Sequence, residues 1–295
     1  MNWLNAVLQG TLLGGEYALV ACGLSLTFGV MRLVNLAHGD LAVCGAYLAL
    51  VLSTALGVPA WYTLPLLLPV AFAAGVGLQL AVLSRALRGG VLAPVLVTFG
   101  LSVVIENLLL EGASANTRTL DGGGLSLASI ALTDRIAISW LRLTGLLAAL
   151  LVLGGLQLLL SYTGWGRSVR ATSDDLETAR LVGIRVRPVF ATVAGIAVAT
   201  AALAGVFIGL ISAFDPLAGG TTLIFAFEAV VIGGLGSLWG TLVGGVALGL
   251  TQQLVGQWDS QYAVLGVHLL FLVVLAVRPQ GLFAPASSPV REQVW

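Results

Sequence analysis

The chain has 295 residues, 58% of them hydrophobic and only 9% charged, and its 13 basic and 13 acidic side chains cancel at pH 7. With a mean hydropathy of +1.04, it has too little polar surface to clothe a water-soluble monomer, so lipid must be its main solvent. That excludes a cytosolic enzyme, a disordered chain and, because no basic stripe exists, a nucleic-acid binder.

All 13 basic residues are arginine. Without lysine the phosphate-binding pattern G-x-x-x-x-G-K-[ST] cannot occur, so this chain is expected to bind no nucleotide cofactor and any ATPase must be a separate subunit. Cys22 and Cys44 stand in apolar segments with no neighbouring ligands, as small core residues do, and no metal site is expected. Residues 1–9 lack the basic start and small-residue cleavage site of a removable signal, so the first apolar stretch is expected to be retained.

A hydrocarbon layer of about 30 Å needs roughly 20 apolar residues as helix, and only helices or closed barrels satisfy the backbone there. The apolar runs are continuous rather than alternating, which selects an all-α, polytopic helical bundle as a single transmembrane domain over 1–295. Spans are predicted near Leu4 to Phe28, Leu41 to Leu56, Trp61 to Leu83, Val91 to Leu110, Leu143 to Ser161, Val189 to Ala213, Leu223 to Leu235, Gly240 to Gly256 and Tyr262 to Val277. That makes eight or nine crossings, because Leu223 to Leu235 is too short for a full one. Arginines 32, 85, 88, 167, 170, 180, 185, 187, 278 and 291 fall together on one side, and only Arg118, Arg135 and Arg142 on the other. By the positive-inside rule the N-terminus is outside and the C-terminus cytoplasmic.

In chain order, the first intramembrane acid is Glu16; Glu106 and Glu228 follow, with Asp215 at an outer end. Each should face the bundle interior or water, as an interhelical hydrogen-bond partner, a site for a substrate ammonium or a proton relay. After the first span, Arg32, Asn35, His38 and Asp40 stand in a row between two apolar runs. They form either a cytoplasmic loop in which Asp40 or Asn35 caps the next helix, or a re-entrant, broken helix whose free backbone groups line a cavity.

Between spans, the long insertion at 162–188 reads as a cytoplasmic loop containing a short helix. Asp174 is the expected N-cap, Asp175 and Glu177 occupy the first turn, Leu176, Ala179, Leu181 and Val182 form an apolar side, and Gly183 is the left-handed stop. Its flanking arginines suit either anionic headgroups or a helix that docks in a cytoplasmic partner. Further on, Gly240, Gly244, Gly245 and Gly249 have the spacing of closely packed helices. Gly233, Gly234, Gly236 and Ser237 suit a tight turn or half-helix. In the last span, a lone His268 reads as a core residue or helix bridge. No catalytic constellation is present, and the chain is not expected to be an enzyme.

Four blocks together resemble the inner-membrane permease of bacterial branched-chain amino acid ABC importers. They are Gly23 to Asp40, Gly166 to Asp175 through Leu181 to Ile184, Glu228 to Gly249, and Arg278-Pro-Gln-Gly-Leu-Phe283, in the family's order over nearly the whole chain. The Asn35-Leu-Ala-His-Gly-Asp40 block resembles the first of the family's two related permeases. The resemblance implies a location in the bacterial inner membrane and a heterodimer with a sister permease. It also implies two cytoplasmic ATPase subunits that hydrolyse ATP and a periplasmic substrate-binding protein. It places Asp174, Leu176, Glu177, Ala179, Arg180 and Gly183 in an ATPase-coupling element. It places Asn35, His38, Gly39, Asp40, Glu106, Glu228, Gly233, Gly236 and Ser237 along a translocation path, where Gly39 and Gly236 would let half-helices break. The rival readings are an ion-coupled secondary transporter or channel, and a purely structural membrane subunit.

Overall fold

A computed structural model of the chain describes residues 3–90, 92–126, 128–133 and 136–283; Val91, Arg135 and Arg291 lie outside them. Among the described residues, eight helical segments are long and apolar enough to cross a membrane, and a ninth apolar helix, Ala218–Gly233, is shorter. Among the described residues the strands form one two-stranded antiparallel hairpin, β1 (Ser129–Thr133) and β2 (Ile136–Ser139), and the other regular elements are helices.

The spanning helices are α1 (Trp3–Met31), α2 (His38–Leu56), α3 (Leu64–Leu78), α5 (Leu92–Ala113), α6 (Trp140–Tyr162), α9 (Val186–Ile211), α11 (Leu238–Gly256) and α12 (Ala263–Val277). A π-helical stretch, Gln79–Leu83, carries α3 on into the short α4 (Ser84–Ala86). The long connection after α6 folds as α7 (Gly164–Asp174) and α8 (Leu176–Leu181), and the short apolar helix is α10 (Ala218–Gly233).

α1 and α9 form the centre, and glycine is what lets other helices reach them. A Cβ on Gly249 would lie 2.3 Å from the Gly10 carbonyl oxygen, and one on Gly14 would lie 2.4 Å from Val246 Cα. Gly245 abuts Gly14 and Ala18 in the same way, so α11 lies backbone to backbone against α1. Gly240 and Gly244 face α10 instead, against Gly233 and Ala229. Without a hydrophobic drive between helices in lipid, such close approach supplies the dispersion contacts that hold them together. On α9, Gly205 receives the Ala42 carbonyl of α2, and Gly195 receives the Phe72 ring of α3.

Two connections return into the bundle rather than stopping at its surface. α1 ends at Met31, where Arg32 takes a left-handed conformation at φ 51°. Six non-helical residues then lead back to His38, whose ring bonds the carbonyl of Val20. Val20 lies eleven residues before the end of α1, about 16 Å along it at a 1.5 Å rise per residue. Six extended residues span about 20 Å, enough for that return. α2 therefore begins inside the apolar layer, as the re-entrant reading expects. α10, with 16 residues, is about 24 Å long and also starts within the layer.

The two ends of the bundle are distinct. At one end the turn from Gly234 to Ser237 packs on Gly29 of α1, the tail Gly281 to Phe283 packs on the C-terminus of α10, and Ser173 of α7 bonds the Gly29 carbonyl. Arg32, Arg85, Arg88, Arg167, Arg170, Arg180, Arg185, Arg187 and Arg278 belong to this end. At the other end Arg142 bonds Gln9, Arg118 pairs through its backbone with Phe214, and Trp3 packs edge-on against Trp258.

Candidate functional site

The return at 32–37 is held by a chain of polar contacts. The Asn35 side chain accepts from the Ala37 amide at 3.1 Å, and the His38 amide donates to the Asn35 carbonyl at 3.2 Å. Asn35 thus closes the turn ahead of α2, while Asp40 sits in the helix's first turn and makes no cap. The Leu36 amide donates to Thr98 Oγ1 of α5 at 3.2 Å. His38 is fully buried; its Nε2 must carry the proton it gives Val20, 2.9 Å away, because a carbonyl only accepts.

Asp40, 1% exposed, accepts from Ser102 Oγ of α5 at 2.5 Å. Its other oxygen presses on the backbone of Gly219, where a Cβ would come within 1.8 Å. Gly39 meets the same residue: a Cβ there would lie 2.0 Å from the Gly219 carbonyl. The first turns of α2 and α10 therefore touch in the middle of the bundle, with the Asp40 carboxylate between two positive helix ends. A buried acid in that place is favourable for both dipoles. The role of Gly39 is close approach inside α2; the helical break lies before it, at 32–37.

Glu106 follows Ser102 by four residues, one turn along the same face of α5. Thr98, Ser102 and Glu106 thus form a polar stripe beside the return. Ser102 and Gly219 were missed by sequence reasoning; the four-residue spacing of the stripe is the signal that finds Ser102, whereas nothing local marks Gly219.

The structure does not bring Glu228 and the glycine turn to this junction. Glu228, 4% exposed on α10, accepts from His268 Nδ1 of α12 at 2.6 Å. His268 is the helix bridge its isolation suggested. Gly233 packs on Gly240 near the Arg-rich end, Gly236 turns there at φ 85°, and Ser237 Oγ accepts from the Gly240 amide as the cap of α11. These residues make the tight turn between α10 and α11, away from Asn35 and Asp40. The interruption that meets α2 is instead the return at 212–217, ahead of α10.

The 162–188 connection differs from its predicted form in two respects. It holds two helices, and α7 begins with a Thr163 cap that accepts from the Gly166 amide at 2.9 Å. Because α7 runs through Asp174, that residue closes a helix and caps none. The cap of α8 is Asp175, which accepts from the amides of Glu177 and Thr178 at 2.9 and 3.1 Å. Hydrogen bonds from the Thr178 hydroxyl and amide hold the Asp175 carboxyl below the usual carboxylate range. Gly183 ends the segment at φ 87° as expected. Ala179 is buried, Leu176 is half-buried, and Glu177 and Arg180 are exposed; Leu181 and Val182 stand 86% and 70% exposed.

A cavity of about 610 Å³ lies toward the Arg-poor end, between α1, the end of α9 and the start of α10. Glu16 and Tyr17 line it from α1, Asp215 from the return, and Thr221 and Phe225 from α10. The arrangement combines a mainly apolar pocket that carries two acids, two half-helix starts and an exposed apolar ledge at the opposite end, and its blocks extend over nearly the whole chain. Residues 6–277 match the family model described as "Branched-chain amino acid transport system / permease component".

The chain belongs to that permease family. The permease is 30% identical to the high-affinity branched-chain amino acid transport system permease protein BraD of Pseudomonas aeruginosa, over 95% of each chain. It is 29% identical to LivH of Escherichia coli, covering 96% of both, and 28% identical to LivM of the same organism, covering 92% of this chain and 68% of that protein. No solved structure matches it. A permease of this family is a multi-pass membrane subunit and not itself an enzyme.

Proposed function

We propose that this permease is the first of two sister membrane subunits in an ATP-driven importer of branched-chain or related amino acids across the bacterial inner membrane. The substrate class follows the printed names of BraD and LivH; LivM supplies the precedent for a sister permease. Two ATPase subunits dock on the Arg-rich, cytoplasmic end, and a binding protein delivers substrate to the opposite, periplasmic end. The N-terminus is then periplasmic and the C-terminus cytoplasmic.

One observation carries this reading. The α7–α8 segment is seated on α1 by the Ser173 bond to Gly29, at 2.5 Å, and turns Leu181 and Val182 outward at the Arg-rich end. An apolar ledge on a capped helix, fixed to the central helix of the bundle, is a lever for a cytoplasmic partner. ATP binds the closed ATPase pair more tightly than the open one, and that difference in affinity tips the bundle between outward and inward openings. The movement reaches the path through α1, whose Val20 carbonyl holds His38. Along that path we place Asn35, His38, Gly39, Asp40 and Glu106 at the central junction. Glu228 braces α10, and Gly233, Gly236 and Ser237 form its hinge at the cytoplasmic end.

The test is uptake into right-side-out membrane vesicles. Uptake of labelled L-leucine should require the ATPase subunits and ATP in the lumen. Accumulation by the permease alone, driven by a proton gradient, would replace this reading with an ion-coupled transporter.

A further inference from the structure

The block Arg278-Pro-Gln-Gly-Leu-Phe283 does more than end α12. Pro279 bars the helix, because it offers no amide and disfavours the α region at Arg278. The chain then turns back, and the Gly281 amide donates to the Arg278 carbonyl at 2.9 Å. From that turn the Leu282 amide donates to the Ile232 carbonyl at 2.9 Å, and the Phe283 amide to the Gly233 carbonyl at 3.0 Å. The last carbonyls of a helix have no partner within it. Ile232 and Gly233 are buried at the end of α10, so the tail supplies what water cannot. Gly281 makes the approach possible: its φ is 81°, and a Cβ there would lie 2.5 Å from Gly234 Cα and 2.6 Å from the Val231 carbonyl oxygen. Main chain makes this seam, since Leu282 and Phe283 remain 41% and 48% exposed.

The same two helices are tied further along. Glu228 accepts from His268 Nδ1, the Phe225 ring stacks on that imidazole with centroids 5.9 Å apart, and Phe227 meets Phe271 edge-on at 6.5 Å. These ties run from Phe225 to Gly233, along the C-terminal part of α10, whereas its first turn is the part that meets Gly39 and Asp40. α10 is therefore fastened to α12 toward the Arg-rich end and reaches the central junction with its other end. Val267 is the one buried residue of α12, so that helix lies at the rim of the bundle, where it can shift against lipid.

We infer that residues 278–283 are a strap that makes α10 and α12 one rigid unit, so that α12 steers the half-helix start facing Asp40. Without the strap, α10 would be joined to the Arg-rich end by the turn at 234–237 alone. With it, that turn is the pivot of a two-helix unit that moves as a body against α1 and α11. The inference rests on the importer reading for what the movement accomplishes, and goes beyond it by assigning α12 and the tail to the moving part. Gly281 and the amides of Leu282 and Phe283 are positioning groups: they act on the junction through α10.

Amide exchange and coupled transport test this on the assembled complex. In wild type, the amides of Leu282 and Phe283 should exchange with deuterium about tenfold or more slowly than in a free peptide of the same sequence, with and without ATP. Exchange at the free-peptide rate in either state overturns the strap. Leu282→Pro removes the amide that holds Ile232, Leu282→Ala keeps it, and Gly281→Ala lifts the strap by its Cβ. In proteoliposomes, Leu282→Pro and Gly281→Ala should still hydrolyse ATP but import about fivefold less L-leucine per ATP, the lower end of ordinary coupling factors. Leu282→Ala should keep the wild-type ratio. Uptake and hydrolysis falling together, with the ratio intact, would mean a merely structural role and refute the inference. Equal loss in Leu282→Ala and Leu282→Pro would refute it as well, by placing the effect in the side chain. Should Leu282→Pro and Gly281→Ala both fail to assemble, exchange in wild type decides. Wild-type uptake that proceeds without ATP would end the importer reading, while slow exchange of the tail would leave the strap standing.

Discussion

Replacing Gly249 with alanine should separate α11 from the central helix α1. The added Cβ would sit 2.3 Å from the Gly10 carbonyl oxygen and 2.4 Å from the Gly14 nitrogen, about 1 Å inside ordinary van der Waals contact. Both obstacles are backbone, so no side chain can swing aside. Either α11 moves away from α1 by about 1 Å, forfeiting a quarter to a half of each dispersion contact along that face, or the strain stays local. Both routes belong to the overpacking class, at about 1–3 kcal/mol. Gly155 of α6 is the matched control, because nothing lies within 4 Å of a Cβ built there. Gly155→Ala should stabilise by up to about 1 kcal/mol through helix propensity alone. Unfolding of the purified permease in mixed micelles of rising denaturing-detergent content gives both values in one series. Shifts of the same sign for the two variants, or no shift for Gly249→Ala, would refute the claim that glycine spacing sets the α1–α11 distance.

Other outcomes follow from the same geometry. Removing His268 strands a carboxylate that is 4% exposed, so His268→Leu should lower stability by a few kcal/mol, toward the bottom of the 3–5 kcal/mol range for broken buried pairs, because the histidine side chain is 39% exposed. The double variant Glu228→Leu, His268→Leu should recover most of that loss in the same detergent series. Leu181→Asp with Val182→Asp should abolish co-purification of the ATPase subunits while the permease still inserts, since both side chains already face water; retained binding would remove the ledge from the coupling argument. Asp40→Leu should cut uptake at least tenfold in an assembled complex, because the facing ends of α2 and α10 lose their shared counter-charge. Ser102→Ala, which leaves the carboxylate in place, should cost clearly less in the same uptake assay.

The membrane class, the spans and the polar row at Asn35 to Asp40 were legible because each is written in a continuous stretch of chain. Continuous, non-alternating apolar runs of about 20 residues have one solution in lipid, the spanning helix, and a run of polar groups between two of them announces an irregular backbone. The spacing of Gly240, Gly244, Gly245 and Gly249 announced close packing, although it did not say that the first and second face α10 and the last two face α1. What stayed hidden depends on which segments meet. Val20 is an unremarkable valine until His38 reaches its carbonyl, and Gly219 acquires its role only from Gly39 and Asp40 about 180 residues earlier. The cap of α8 was misplaced by one residue because Asp174 and Glu177 have capping-box spacing, a local pattern that the length of α7 overrides. α7 was not anticipated, since the 162–188 segment read as a loop with one short helix. Gly166 is a close-packing residue, within 2.2 Å of the Leu160 carbonyl if given a Cβ.

The pairing of Gly10 and Gly14 with Gly245 and Gly249 also sets a timetable for biogenesis. α1 emerges first from the ribosome, yet the surface cut to receive it is encoded near the end of the gene. At 5–20 residues per second, the two are made about 10–50 s apart. During that interval the founding helix of the bundle waits in the bilayer with its bare backbone face open to lipid or to an insertase. A nascent chain halted after α9 could pack α1 against α6 and α9 yet would leave the Gly10 and Gly14 face uncovered, and quality control would meet it as an orphan.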